Sequence, residues 1–234
     1  MAAVQLADGV WRLPLGPQDW LNAFLVQGDD GTLTLVDAGT RGAAKKVLAG
    51  LASLGKQPGD VTHLLLSHAH NDHTGGAAKV QAATGSKVAT HVDEAAWVRS
   101  GRMPPSDPST RGGRLLRRLP RSATGFSAVT VDEELTDGQV AAGGITVVHT
   151  PGHTPGHCSF LHAASGVLLT SDAVFNVRGL RYSFKASCTD VTTSRTSAAR
   201  LGDLDFGVAG FTHGPHVSTG AQAAVRAFLA GRPS

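Results

Sequence analysis

Ten residues, Ser67 to Gly76 (SHAHNDHTGG), carry His68, His70, Asp72 and His73. Imidazole nitrogens and a carboxylate packed this closely suit a divalent cation, Zn²⁺ first, with Fe or Mn as alternatives. Three surface histidines in a polar loop is the plainer explanation. It is weak for three His and one Asp in a six-residue window. Three more candidates lie downstream: His153 in Thr150 to His157 (TPGHTPGH), Asp172 in Ser171-Asp172, and His213 in Thr212-His213-Gly214. A carboxylate that bridges two metals must sit between two sets of nitrogen ligands, and Asp172 is the acid placed for that. A lone Asp at a strand end is more often a turn residue, so the set carries the specificity rather than any member.

These groups need elements to position them. The apolar run Val61 to Leu66 reads as a buried strand that ends in the His loop, where scaffolds usually place their chemistry. Val10 to Leu13, Leu21 to Val26 and Leu33 to Val36 read as strands, the last two joined by the turn signal Asp29-Asp30-Gly31. Asp37, at the end of the third, is a turn residue or an acceptor behind the metal loop. Ala43 to Leu54 has helical spacing, and a second helix is expected from Gly76 to Ala83, closed by Gly85. Lys87 to Thr90 reads as a strand, followed by a helix through Val98 capped by Asp93. Arg114 to Leu119 reads as a short amphipathic helix, and Val129-x-Val131 and Ile145-x-Val147 as strands. Cys158 to Leu161 and Val167 to Leu169 form a hairpin about Ser165-Gly166. A helix from Asp190 to Leu201, a strand Phe206 to Phe211 and a helix Ala221 to Leu229 complete the chain. Strands followed by helices in each half suit two similar sheet-plus-helix halves packed together.

The order and spacing of His68-x-His70-x-Asp72-His73, Thr150-Pro151-Gly152-His153-Thr154, Ser171-Asp172 and Thr212-His213-Gly214 resemble the metallo-β-lactamase-fold hydrolases. The resemblance runs from Asp37 to His213. It implies an α/β (α+β) chain folded as a four-layer αββα sandwich, with the metal site at one edge between the sheets. It further implies two divalent metal ions. One takes His68, His70 and His153; the other takes Asp72, His73 and His213; Asp172 bridges them. The bridge and the PGHTPGH wording are closer to glyoxalase II and the lactonases than to the true β-lactamases. The chain departs from these too. It ends soon after His213, without the C-terminal helical domain of glyoxalase II. Phe175 stands near where acyl-homoserine lactonases place a Tyr, and Tyr182 is the only Tyr.

The implied reaction is hydrolysis of an ester, lactone, thioester or β-lactam by a metal-bridging hydroxide, with Asp72 as both ligand and proton carrier. The alternative is a mononuclear iron oxygenase resembling the persulfide dioxygenases, which would use His68, His153 and Asp172, with Arg181 near an anionic thiol. A non-catalytic, metal-stabilised binding protein is a third reading. His157, His216 and Asp37 are candidates to support the ligands or touch substrate. His63, His91, His149 and His162 are read as ordinary structural or surface residues.

The 234 residues, 41% hydrophobic and 17% charged, are expected to form a single globular domain over 1–234 with an Arg/Pro-rich insertion at about 99–126. Arg99 to Arg121 holds seven Arg against one acid, Asp107, which leaves 14 basic and 17 acidic residues elsewhere. The net +3 is therefore local and does not argue for a nucleic-acid partner. The segment reads as a solvated insertion, a lid offering Arg to an anionic or amphiphilic substrate, or a membrane-surface contact. No apolar run reaches membrane-span length, and MAAVQLADGVWRLPLG lacks the pattern of a secretory signal. A cytoplasmic protein with two reduced thiols, Cys158 and Cys188, and a small-molecule substrate is the expectation. The substrate and the oligomeric state are not legible.

Overall fold

The computed structural model describes residues 2–231. Seven strands form the first sheet in sequence order: β1 (Val4–Ala7), β2 (Val10–Pro14), β3 (Asn22–Gln27), β4 (Leu33–Val36), β5 (Val61–Leu66), β6 (Lys87–His91) and β7 (Glu133–Leu135). The first four pair antiparallel; β4 to β7 pair parallel. The parallel steps are crossed by α1 (Ala44–Ser53), α2 (Ala77–Thr84) and α3 (Val92–Ser100). A second sheet has the order β14-β11-β10-β9-β8. Its strands are β8 (Val140–Ala141), β9 (Ile145–His149), β10 (Cys158–His162), β11 (Val167–Leu169) and β14 (Val208–Gly210), the last parallel to β11. A small ribbon, β12 (Phe175–Asn176) with β13 (Leu180–Arg181), α6 (Val191–Ala198) and α7 (Ala221–Ala230) complete this half.

Side-chain alternation builds the layers. Leu64 and Leu66 of β5 face the helices with Val47, Leu51 and Val80, while Leu65 faces the other sheet with Phe24, Phe160 and Leu169. A third apolar layer joins the second sheet to α6 and α7 through Leu168, Ala198, Phe211 and Val225. Both faces of the central strands are largely buried, so they read as mostly apolar runs rather than strict alternation. The result is the αββα sandwich that the sequence resemblance implies.

Several elements differ from the sequence expectation. β1 has no clear alternation and gains its order by pairing with β2. Val129 and Val131 are buried but lie outside any strand, and the strand begins at Glu133. His91, not Asp93, caps α3: its Nδ1 accepts the Asp93 N–H at 3.3 Å. The insertion helix starts earlier than its leucines suggest. It is α4 (Arg111–Leu116), capped by Thr110, whose Oγ1 accepts the Gly113 N–H at 2.9 Å. One turn, α5 (Arg121–Thr124), follows. Among the described residues no helix is long and apolar enough to cross a membrane.

Candidate metal centre

The sandwich brings all seven candidate side chains to one edge. His68, His70, Asp72 and His73 follow β5; His153 follows β9; Asp172 follows β11; His213 follows β14. Each strand terminates by delivering a polar group to the same end of the two sheets. The ligand atoms fall into two nests. His68, His70, His153 and Asp172 form one; Asp72, His73 and His213 form the other, with ligand atoms in each within 4.8 Å of one another. In the first nest His70 Nδ1 lies 3.1 Å from His68 Nε2 and 3.0 Å from His153 Nε2. Asp172 spans both. Its Oδ2 is 3.1 Å from His153 Nε2, while its Oδ1 is 3.1 Å from His73 Nε2 and 3.4 Å from His213 Nε2. Asp72 closes the second nest, its Oδ2 3.5 Å from His213 Nε2.

The outer ring nitrogens of His68, His73, His153 and His213 are engaged, which points their inner lone pairs into the nests. Asp37 does most of this. Its Oδ1 accepts the Ser67 N–H at 2.8 Å, and its Oδ2 accepts from Ser67 Oγ and His73 Nδ1, each at 2.8 Å. Since Ser67 Oγ donates to Asp37, its lone pair is left to accept from His68 Nδ1, 3.0 Å away. One carboxylate thereby sets the tautomers of two ligand imidazoles. His213 Nδ1 donates to Trp20 O at 2.8 Å, and His153 Nδ1 lies 3.1 Å from Ser183 Oγ and 3.8 Å from Cys188 Sγ. His157, one of the expected supports, uses Nε2 to accept the Asp172 N–H at 3.0 Å and Nδ1 to donate to Thr150 O. Asp37 is therefore more than a turn residue.

The backbone is shaped for these contacts. Asp37 has φ 61° and Ser171, beside Asp172, has φ 46°, a left-handed conformation that costs a non-Gly residue energy and clusters at functional sites. Gly152 precedes His153 at φ 112°, and a Cβ there would lie 2.0 Å from the Ser194 nitrogen. No other residue fits that approach.

Electrostatics favour positive charge at Asp172. Burial alone would raise its carboxyl, yet His73, His213 and His153 hold it well below the usual range. The same attraction outweighs burial at His153, raised to about 9, and raises His73 and His213. Burial and neighbouring imidazoles lower His68 and His70, and hold His157 at about 3, a neutral acceptor. His73 Nε2 and Asp172 Oδ1 are buried, misaligned with each other, and without a hydrogen-bond partner. Orphaned buried atoms of these types, in nests of nitrogen and carboxylate donors, fit a metal site.

The other candidates are placed apart. Tyr182 packs on Phe228 and under Arg195, and His216 belongs to neither nest. His91 and His149 stack at 3.9 Å and 14° beside Asp93. The in-plane lone pairs of stacked rings lie in nearly parallel planes set apart by the stack, which disfavours both meeting on one ion.

Sequence reasoning missed three supports. Glu94, in α3, is fully buried and accepts the Ala69 and Gly156 N–H groups, each at 2.9 Å, joining the loops that carry His68, His70 and His153. Its spacing to buried Val98 was the one available signal. Asn22 donates to Phe211 O at 3.0 Å and Gly214 O at 3.0 Å, bracing the His213 loop. Trp20, 52% exposed, lies with its ring 5.3 Å from that of His213. Phe175 is 4.4 Å from the same ring, and Phe184 packs on Phe175 at 5.9 Å.

Residues 21–223 match the model of the metallo-beta-lactamase superfamily. The chain is 32% identical to a hydroxyacylglutathione hydrolase of Rhodospirillum rubrum over 57% of its length and 40% of that enzyme's. It is 25% identical to hydroxyacylglutathione hydrolase GloC of Haemophilus influenzae over 89% of its length and 92% of that enzyme's. The structure of a metallo-beta-lactamase family protein from Thermus thermophilus superposes with a TM-score of 0.73 at 27% identity, covering 97% of this chain and 80% of that one. With the family match extending across both sheets, the chain belongs to the metallo-beta-lactamase superfamily, and its His and Asp cluster fits a metal site.

Proposed function

We propose that the chain is a dinuclear metal-dependent hydrolase acting on an ester, lactone, thioester or β-lactam bond of a small molecule. The observation that carries this is the orientation of Asp172, whose two oxygens face different nitrogen sets. In this reading His68, His70, His153 and Asp172 Oδ2 hold one divalent cation, zinc first. Asp72, His73, His213 and Asp172 Oδ1 hold the other. In this reading the described residues form one domain, with 99–126 as an insertion. The hydroxyacylglutathione hydrolase relatives put a thioester first among the bonds. The match to GloC covers most of both chains, so the thioester reading does not depend on the longer relatives alone.

When bound, the cations supply an acidified water and a polarised carbonyl at neutral pH. The chain supplies the rest. Asp37, Ser67 and Trp20 O fix the outer ring nitrogens, so the inner lone pairs need no reorganisation. Asp72 is the most open of the seven, its side chain 29% exposed, and so can orient the attacking water and carry its proton outward. Trp20 and Phe184 flank the His213 side and offer flat apolar surface to a substrate.

The test is metal content and turnover on one sample, screened against thioesters, lactones, a chromogenic cephalosporin and phosphodiesters. Two divalent ions per chain are expected, with hydrolysis abolished in Asp72→Ala and His153→Ala while the fold persists. One iron per chain with oxygen uptake would replace this reading with the mononuclear oxygenase.

A further inference from the structure

Between α3 and β7 the Arg-rich segment lines an open cavity of about 380 Å³ that contains none of the metal-nest side chains. Met103, Leu116 and Leu119 give it an apolar lining, and Arg102 and Arg117 bring two guanidinium groups. No carboxylate lines it. Arg117 donates to Ser106 O at 3.1 Å, whereas the Arg102 guanidinium has no hydrogen-bond or ion-pair partner among the described residues. A volume at the small end of ligand pockets, apolar walls and an uncompensated cation together fit a small molecule, not a macromolecule. The charge fits an anion.

The cavity is also tied to the metal loops from two sides. On one side Asn71, between His70 and Asp72, donates to Ala123 O at 3.4 Å, and Arg41 donates to Gly125 O. Gly125 lines the cavity. On the other, the Asp107 N–H donates to Cys188 O at 2.7 Å, and the Cys188 thiol lies beside His153. At Gly112 an added Cβ would come within 2.6 Å of the Ala186 Cβ, so α4 packs directly on the loop that bears Phe184. Leu115 on the same helix is 63% exposed, leaving apolar surface open at the rim.

We propose that this cavity is a subsite for the non-reacting end of the substrate, an acyl or aryl group bearing a carboxylate. The proposal rests on the hydrolase reading for the word substrate, but binding tests it separately. Arg102 and Arg117 would pair with the carboxylate, and Met103, Leu116 and Leu119 would cover the apolar body.

The probe is 4-phenylbutyrate against its neutral amide, titrated calorimetrically into the metal-loaded full chain. The carboxylate is expected to bind at one site, more tightly than the amide, and to weaken with added salt. Arg102→Ala, which removes no side-chain hydrogen bond or ion pair among the described residues, is expected to weaken it about tenfold, with an unchanged melting temperature. The same variant should lower kcat/KM for a carboxylate-bearing aryl thioester and leave a neutral thioester unaffected. Arg102-dependent binding without any hydrolysis keeps the subsite and removes the hydrolase reading. Binding that is lost on chelation but indifferent to Arg102→Ala would place the probe on the metals and overturn the subsite. So would binding of the segment to phosphatidylglycerol vesicles with no saturable phenylbutyrate binding.

Discussion

The metal nests and the Arg-rich segment are held in opposite ways. Around the nests, fixed partners grip the ligand rings from behind: Asp37 and Ser67 for His68 and His73, Trp20 O for His213, Ser183 for His153. The segment hangs from a few tethers, and its arginines mostly face water. The difference follows from what each region is asked to do. Coordination fails if a lone pair turns away, so each ring needs a fixed partner. Attraction of an anion tolerates a moving cation, because charge acts over distance and several Arg can share the task.

Asp37→Asn strikes at this contrast most directly. Asn tolerates the left-handed backbone at 37 but loses the charge and one acceptor. A loss of about 1–3 kcal/mol in stability and about 10–100-fold in metal affinity is expected, read by urea melts and chelator competition. An unaltered variant would put the nests in the same loosely held class as the segment.

Glu94 sharpens the comparison through pH. Burial raises its carboxyl from 4.5 to about 7, opposed by the nearby Thr154 hydroxyl and the Ala69 and Gly156 N–H groups. The folded chain thus holds this proton more tightly than the unfolded one. Its contribution to stability is complete below pH 4.5 and is lost as pH rises to about 7, at ~1.4 kcal/mol per unit at most. Glu94→Gln has no such titration. Melting of the chelated proteins should show the wild type losing ground to the variant across that window. Parallel curves would remove Glu94 from the network.

The smallest effect is expected outside the nests. Phe184→Ala removes an exposed ring and should leave the melting temperature within about 1 °C, in line with the small cost of surface changes, while raising KM several-fold for an aryl thioester. A large loss of stability there would show that the rim is structural.

What could be read in advance follows the same division. The ligands were legible because metal chemistry restricts residue types, and β5 because its run is mostly apolar and mostly buried. The hairpin β10–β11 declared itself through its turn. Support of the ligands was less visible. Glu94 looks like any acid in a helix's first turn, and only the packing of α3 against Ala69 and Gly156 shows that it is buried. Asn22 and Trp20 act through contacts about 190 positions away, which no local pattern encodes. The start of α4 was misplaced because Gly112 and Gly113 weaken helical propensity, and here close packing and the Thr110 cap override it.

The seam between the two sheets has a consequence for folding. His68, His70, Asp72 and His73 belong to the first half of the chain, and His153, Asp172 and His213 to the second. A cation seated on Asp172 would therefore act as a cross-link between halves in a protein whose Cys158 and Cys188 are both free thiols. It would fasten late-arriving chain to early chain, as a disulfide does elsewhere, and slow their separation once docked.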